Sequence, residues 1–380
     1  MVQKILKIAK TTEDSLSEQI SEVRKNPIIK KLSEKTNINV DELVPTGATV
    51  FNLECSGRVE GAFRIGRLVN LIGDSHSGKS LISFTIFAEC NKLERFNDYK
   101  FIYDDVEAAN SFNLPVLFGN ECASRIDQTY RSRTIENFCD KVAHLLDDDI
   151  PFIYVLDSFD ALTSEAALEK DEENRKKRDK GNETKGEYTD GKAKLFSKFC
   201  SMRIQELAEK DSVLIVISQT RDNIGFGAMF TPKTRSGGNA LRFYSALEVW
   251  LACQKKDKEG KRTIRTNVQA KITKNKLIGK QGEAMFSVLN DYGLDNIRSC
   301  IRFLVEEGEW SGSPGSINTQ GFMEPSTVKS TGKAKHPSME DIIQYIEQNN
   351  KEKELDLLCQ KTYNNIMIKI KPNRKPKYVN

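Results

Sequence analysis

Histidine is scarce in this chain: three occur in 380 residues, at positions 76, 144 and 336. The eight cysteines, at 55, 90, 122, 139, 200, 253, 300 and 359, form no Cys-x-x-Cys pair. These gaps argue against a zinc site and against a disulfide framework, and they fit a reducing, cytoplasmic setting. No uninterrupted apolar run approaches the roughly 20 residues that span a bilayer, and the N-terminus lacks a signal-peptide core, so no membrane role is expected. Charge of one sign is also missing in bulk. Lys and Arg number 58 against 54 Asp and Glu, a net charge of +4 that selects no partner by itself. Locally the balance shifts: Lys369–Lys377 carries five basic residues and no acid.

What is present is more informative. Gly73-Asp74-Ser75-His76-Ser77-Gly78-Lys79-Ser80 fits G-x-x-x-x-G-K-[ST]. The apolar run Leu68–Ile72 precedes it, and a helix-like segment with Leu81, Ile82, Phe84, Ile86 and Phe87 follows. Strand, glycine-rich loop and helix together make a phosphate cradle, because the loop's N–H groups turn inward and the helix N-terminus adds positive charge. Lys79 is positioned to reach terminal phosphates, and the Ser80 hydroxyl to coordinate Mg²⁺. The motif predicts binding of a nucleoside triphosphate.

The chain is longer than one typical core and reads as a large domain with appendages. Residues 1–45 look helical and polar, with a sparse stripe of Leu16, Ile20, Val23, Ile28, Ile29 and Leu32, suited to packing on another domain or subunit. From 46 to 310 strands alternate with helices and then follow one another. The expected strands are Leu68–Ile72, Lys100–Asp104, Phe152–Leu156, Val213–Ser218, Leu247–Cys253, Val268–Lys274 and Ala284–Val288. Continuous apolar runs in the first four indicate parallel strands covered on both faces, and the short connections of the last three suggest an antiparallel extension. The fold class is α/β: a P-loop core with a mostly parallel sheet, a helical N-terminal region and a small C-terminal helical appendage. Between Glu169 and Lys192 eight basic and eight acidic residues predict a mobile loop or a solvated helical arm. Residues 311–337 read as a linker, and 338–380 as a short helical segment, capped by Ser338 with Asp341, that ends in the basic tail.

Three further strand ends carry polar groups. Asp157, closing Phe152–Leu156, is placed to hold a Mg²⁺ shell opposite Ser80. Glu107, just beyond Phe101–Asp105, is the candidate to orient or deprotonate an attacking water, with Asp104 and Asp105 competing for that role. Gln219, after Val213–Ser218, can bond both a γ-phosphate and the loop that follows. That loop, 222–238, mixes flexible glycines with Lys233, Arg235, Ile224, Phe226, Met229 and Phe230, a mixture suited to gripping a single nucleic-acid strand by charge and stacking.

Taken together these segments resemble the RecA family of recombinases. Gly238-Asn-Ala-Leu-Arg-Phe-Tyr244 is similar to that family's Gly-Gly-Asn-Ala-Leu-basic-Phe-Tyr block. Leu156-Asp-Ser-Phe-Asp-Ala-Leu-Thr163, Ser218-Gln-Thr-Arg221, Lys274-Asn-Lys276, Pro45-Thr-Gly47 and Gly66-Arg67 resemble further family segments in the same order. The resemblance implies that ATP lies between neighbouring subunits of a helical filament. Gly73 to Ser80 would bind its phosphates, Ser80 and Asp157 would support Mg²⁺, Glu107 would activate water, and Gln219 would couple the γ-phosphate to the DNA loop. Lys274 and Lys276 would reach the nucleotide of the adjacent subunit, with Arg242 and Phe243 in the subunit contact. The resemblance places 165–191 at the family's first DNA loop and 222–238 at its second, which assigns Arg221, Ile224, Phe226, Met229, Phe230, Lys233, Arg235, Gly237, Gly238 and Asn239 to DNA binding.

The implied partners are single-stranded DNA, homologous duplex DNA, further copies of the chain, and mediator or single-strand-binding proteins. The long charged first loop, Lys233 near a usually acidic position and the basic tail look like a divergent phage- or plasmid-borne member. The expected activity is ATP-dependent strand pairing and exchange; a ring ATPase serving as helicase or assembly factor is the alternative.

Overall fold

The computed structural model describes residues 38–180, 191–222, 233–235, 238–289, 291–324, 326–327 and 334–374. The chain divides into two units, Met1–Glu42 and Leu43–Asn380. In the first unit a 3₁₀ turn at Val40–Glu42 is described, and the expected helical stripe from Leu16 to Leu32 lies outside the described residues.

The second unit opens with the antiparallel pair β1 (Leu43–Val44) and β2 (Phe63–Arg64), which flank α1 (Thr49–Ser56). Alternation follows: β3 (Leu68–Gly73), α2 (Lys79–Asn91), β4 (Lys100–Asp105), α3 (Leu114–Phe118), α4 (Asn120–Arg125), β5 (Ile126–Asp127), α5 (Ile135–Asp147) and β6 (Phe152–Asp157). Next come α6 (Glu165–Asp179), α7 (Lys192–Glu209), β7 (Val213–Asp222), β8 (Lys233–Arg235) and α8 (Gly238–Tyr244). A run of strands closes the sheet: β9 (Leu247–Glu259), β10 (Arg262–Asn275), β11 (Gly282–Leu289) and β12 (Gly293–Asp295).

Its order is β12-β11-β10-β9-β3-β7-β6-β4-β5, parallel from β9 to β5 and antiparallel from β9 to β12. The mostly parallel α/β core and its antiparallel extension are as expected. The pleat explains the apolar runs. Val69, Leu71, Tyr103, Ile153, Val155, Ile215 and Ile217 point toward α1 and α2, whereas Leu68, Ile102, Tyr154, Leu156, Leu214 and Val216 point toward α5 and α7. A strand buried on both faces has no polar side to alternate with. In β10 only Val268, Ala270 and Ile272 join the core, so the extension is covered on one face.

β9 and β10 run well past their expected ends. Residues 253–256, 258 and 259 are polar or small and exposed, so cross-strand hydrogen bonding rather than burial holds them. Helix α6 has no buried residue and carries the pairs Lys177–Glu173 and Arg178–Asp171, which makes it the solvated arm.

The stretch expected as a linker is instead packed over residues 311–324. β13 (Ser311–Ser313) and β14 (Ser316–Asn318) form a hairpin that buries Ile317 beside Trp310. The stretch's Ser- and Gly-rich composition masks the few apolar residues that anchor it, Ile317 with Phe322 and Met323. β15 (Ser326–Thr327) pairs with β16 (Ala334–Lys335). The C-terminal helices α10 (Met339–Gln348) and α11 (Glu352–Lys369) follow. α10 begins with the anticipated Ser338–Asp341 capping box. α9 (Asn296–Glu306) precedes the hairpin and packs with both. Ile342, Ile346, Leu355, Cys359 and Tyr363 enter the same core as the α2 face of the sheet.

A polar clasp fixes this arrangement. Thr49 Oγ1 donates to Asp356 Oδ1 at 2.6 Å, and Asn296 Nδ2 donates to Thr49 Oγ1 at 2.9 Å. Desolvation raises the Asp356 carboxyl to about 6. The folded state therefore keeps its proton where the unfolded chain has lost it. This group's contribution is full below about pH 4 and is lost as pH rises through about 6. Asp356→Asn is expected to stabilise the protein by about 3 kcal/mol at pH 7 and by little at pH 4. Urea titrations across that range check it; parallel profiles for both proteins would show that the carboxyl does not titrate in the clasp.

Candidate active site

The phosphate loop is built where a fully buried strand meets a mostly buried helix. β3 has no exposed residue and delivers Gly73 to the edge of the core. A Cβ at Gly73 would lie 2.4 Å from the Leu251 carbonyl oxygen and 2.5 Å from Ser77 Oγ, so only glycine fits. Gly78 turns the chain into α2 with φ of 85°, and Ile82 N bonds its carbonyl at 2.9 Å. Lys79 is buried, and its Nζ donates to the carbonyls of Gly73 (2.8 Å) and Asp74 (2.7 Å). Burial pulls its ammonium below the ordinary lysine range, opposed by the carboxylates of Asp157, Glu107, Asp74 and Asp160.

Parallel register brings the other strand ends alongside. Gly73 aligns with Gln219, and Asp105 with Asp157. Asp157 Oδ2 accepts from Ser80 Oγ at 2.5 Å and from the Tyr103 hydroxyl at 2.5 Å. Desolvation raises its carboxyl above the usual range, and these two donors oppose the rise. Glu107 Oε1 accepts from Ser158 Oγ (2.6 Å) and from Gln219 Nε2 (2.8 Å). The Gln219 backbone N–H in turn donates to Asp160 Oδ2 at 2.7 Å. Lys79, Ser80, Glu107, Asp157 and Gln219 thus form one constellation.

Asp104 and Asp105 do not compete with Glu107. Asp104 is fully buried and accepts from Ser132 N (2.8 Å), Ser132 Oγ (2.6 Å) and the Tyr154 hydroxyl. The pleat turns it to the α5 and α7 face, away from the loop. Asp105 accepts from the backbone N–H of Ala109 and Asn110 and shapes the turn that carries Glu107.

The two loop cations assigned to DNA are engaged elsewhere. Arg235 is not a surface contact: it pairs with buried Glu248, which also accepts from Thr273 Oγ1 at 2.8 Å. Lys233 pairs with Asp74 of the phosphate loop, where Thr220 Oγ1 also donates. β8 pairs antiparallel with the end of β7, Thr220 opposite Arg235. Arg221 is exposed, Gly238 and Asn239 begin α8, and Ile224, Phe226, Met229, Phe230 and Gly237 lie outside the described residues.

Lys274 and Lys276 sit away from the loop of their own chain. Lys274 aligns with Glu248, and through it with Asn70, three residues before Gly73 and two strands across. Its Nζ donates to the carbonyls of Arg242 and Phe243, and burial together with Lys276 lowers it to about 8. Lys276 is exposed, as is Phe243 at 71 %.

The donor set suits a hard divalent cation. A hydroxyl and a carboxylate meet at Ser80 and Asp157, and among the described residues no three His, Cys, Asp or Glu converge on a cage. Mg²⁺ is commonly held this way, by one or two protein oxygens with phosphates and water completing the shell. Beside the loop a cavity of about 520 Å³ is lined by Ser77, Ser80, Phe112, Lys256, Thr266 and Leu289. Phe112, Val268, Val288 and Leu289 give it an apolar wall that suits a nucleoside base.

Tyr103, Ser158 and Asp160 escaped the sequence reading. Tyr103 sits in an apolar run where its hydroxyl signals nothing, and only the pleat reveals that it faces Asp157. Tyr103→Phe is expected to raise the Mg²⁺ concentration needed for nucleotide binding by about tenfold. Calorimetry at several Mg²⁺ concentrations checks this; unchanged dependence would make Tyr103 a packing residue only.

Comparison with known proteins agrees with this geometry. The family profile described as the RecA N-terminal domain matches residues 10–295. Protein RecA of Campylobacter lari is 26% identical over 313 residues, covering 77% of this chain and 80% of the relative. Protein RecA of Colwellia psychrerythraea is 26% identical over 314 residues, with the same coverage. With its phosphate loop, strand order and three-quarters of its length accounted for, this chain belongs to the RecA family.

Proposed function

We propose that this protein is an ATP-dependent DNA recombinase that assembles as a helical filament on single-stranded DNA and pairs it with homologous duplex. The bond from Gln219 Nε2 to Glu107 Oε1 carries this reading. It ties the side chain proposed to orient water to the strand that leads directly into the 222–238 loop. A change in that loop on DNA binding is then felt at the site of hydrolysis, and the reverse. Family membership supports the ATPase and the DNA partner at a coarser level.

In this mechanism Gly73 to Ser80 bind the phosphates, and Lys79 moves from its two carbonyl partners to the terminal ones. Ser80 and Asp157 would hold Mg²⁺, which would supply charge neutralisation to the bound phosphates. Glu107 orients a water for attack on the γ-phosphorus, giving ADP and phosphate; such transfer needs positioning and electrostatics more than covalent chemistry. Lys274 and Lys276, too distant from their own loop, serve the neighbouring subunit, and Arg242 and Phe243 lie in that contact. Residues 1–45 contribute to assembly. The residues proposed to meet DNA are Arg221, the 222–238 loop apart from Lys233 and Arg235, and the arm around 165–191. No helix among the described residues is long and apolar enough to cross a membrane.

Lys79→Ala is expected to lower hydrolysis by at least about a hundredfold; full activity would overturn the assignment of the phosphate site. Lys276→Ala is expected to fold and bind nucleotide normally, yet to lose most DNA-stimulated turnover. Normal stimulation would remove its role across the subunit contact. Electron microscopy with ATP and single-stranded DNA is expected to show open helical filaments; closed rings alone would replace the recombinase with a ring ATPase.

A further inference from the structure

The phosphate loop carries an acid where its task is to bind an anion. Asp74 is its second residue, and its carbonyl already accepts from Lys79 Nζ at 2.7 Å. Its carboxylate accepts from Thr220 Oγ1 on one oxygen and pairs with Lys233 Nζ on the other. Both partners come from the paired ends of β7 and β8, where Asp222 stands opposite Lys233. Thr220 directly follows Gln219, which bonds Glu107. Two ammonium groups, Lys79 and Lys233, therefore contact the same loop residue beside the proposed γ-phosphate position.

We propose that Lys233 is a second phosphate-binding cation supplied by the same subunit, held by Asp74 until a triphosphate takes it. This inference rests on the ATP-binding reading above. The pair is half-exposed, 44 % for Lys233 and 50 % for Asp74, and an ion pair so exposed is weak. A bound triphosphate brings several negative charges to the mouth of the loop and outcompetes a single carboxylate. Lys233 can change partner without its strand moving: neighbouring Arg235 anchors β8 through the buried pair with Glu248, side chains 10 % and 5 % exposed. Lys233 and Thr220 together hold the Asp74 carboxyl below its ordinary range, so it is ionised at neutral pH and competes there. ADP brings no γ-phosphate and leaves Lys233 on Asp74. The pair thereby separates triphosphate from diphosphate at a position one residue from the start of the loop.

The test measures the Mg²⁺-dependent affinity of fluorescent ATP and ADP analogues in the full chain and four variants: Lys79→Ala, Lys233→Met, Asp74→Asn and the Asp74→Asn/Lys233→Met pair. Asparagine keeps an acceptor for Thr220 while removing the competing charge. Lys233→Met is expected to weaken ATP binding about tenfold and ADP binding less than about twofold. Asp74→Asn is expected to tighten ATP binding about threefold, and to tighten it by less once Lys233 is already methionine, because part of the carboxylate's competition acts through that lysine. Equal effects of Lys233→Met on both nucleotides, no effect on either, or weaker ATP binding by Asp74→Asn would overturn the proposal. If Lys79→Ala abolishes binding while Lys233→Met is silent, the phosphate site stands and only this role of Lys233 falls. If the unmodified protein binds neither analogue, both fall together.

Discussion

A carboxylate at the mouth of a packed sheet has to be compensated, and Asp157 is the group around which this site closes. Desolvation disfavours its charge. Ser80 from the helix after the phosphate loop and Tyr103 from the neighbouring strand both donate to it. Those bonds are available only because β4, β6 and β3 lie in the observed parallel order with β7 between the last two. The same order puts Glu107 and Gln219 on either side of Ser158. Chemistry at the site and architecture of the sheet are one constraint.

From that centre the polar connections run outward along β7. Gln219 reaches Glu107 through its side chain and Asp160 through its backbone, and Thr220 reaches Asp74. Arg235 then ties β8 to Glu248 of β9, the strand on the other flank of β3. The loop proposed to grip DNA is therefore flanked by two strands that both touch the nucleotide site. A ligand that favours one arrangement of this network shifts the population of the other end without any further device. On the α2 face of the sheet the clasp of Thr49, Asn296 and Asp356 makes the C-terminal helices part of the domain.

Much of this was legible in the residues, for physical reasons. Burial on both faces writes parallel strands as unbroken apolar runs, and the glycines at 73 and 78 are demanded by close approach and by a left-handed backbone. Ser338 with Asp341 announced a helix start. What stayed hidden depends on which way a side chain points. Asp104 and Glu107 look interchangeable in sequence, yet the pleat sends Asp104 into a cage of Ser132 and Tyr154. Arg235 reads as surface charge until its partner, thirteen residues on, is seen to be buried. The 311–324 segment reads as a linker because only a few apolar residues, Ile317 with Phe322 and Met323, hold a polar stretch to the core. Lys233 reads as a loop cation near a usually acidic position, since nothing in the sequence pairs it with Asp74.

The central claim is that nucleotide chemistry and DNA binding are coupled through the end of β7. The most direct measurement is the rate of ATP hydrolysis with and without unstructured single-stranded DNA, over a range of protein concentrations. The account predicts strong stimulation by DNA that rises cooperatively with protein concentration. Hydrolysis that proceeds at the same rate with and without DNA would contradict it.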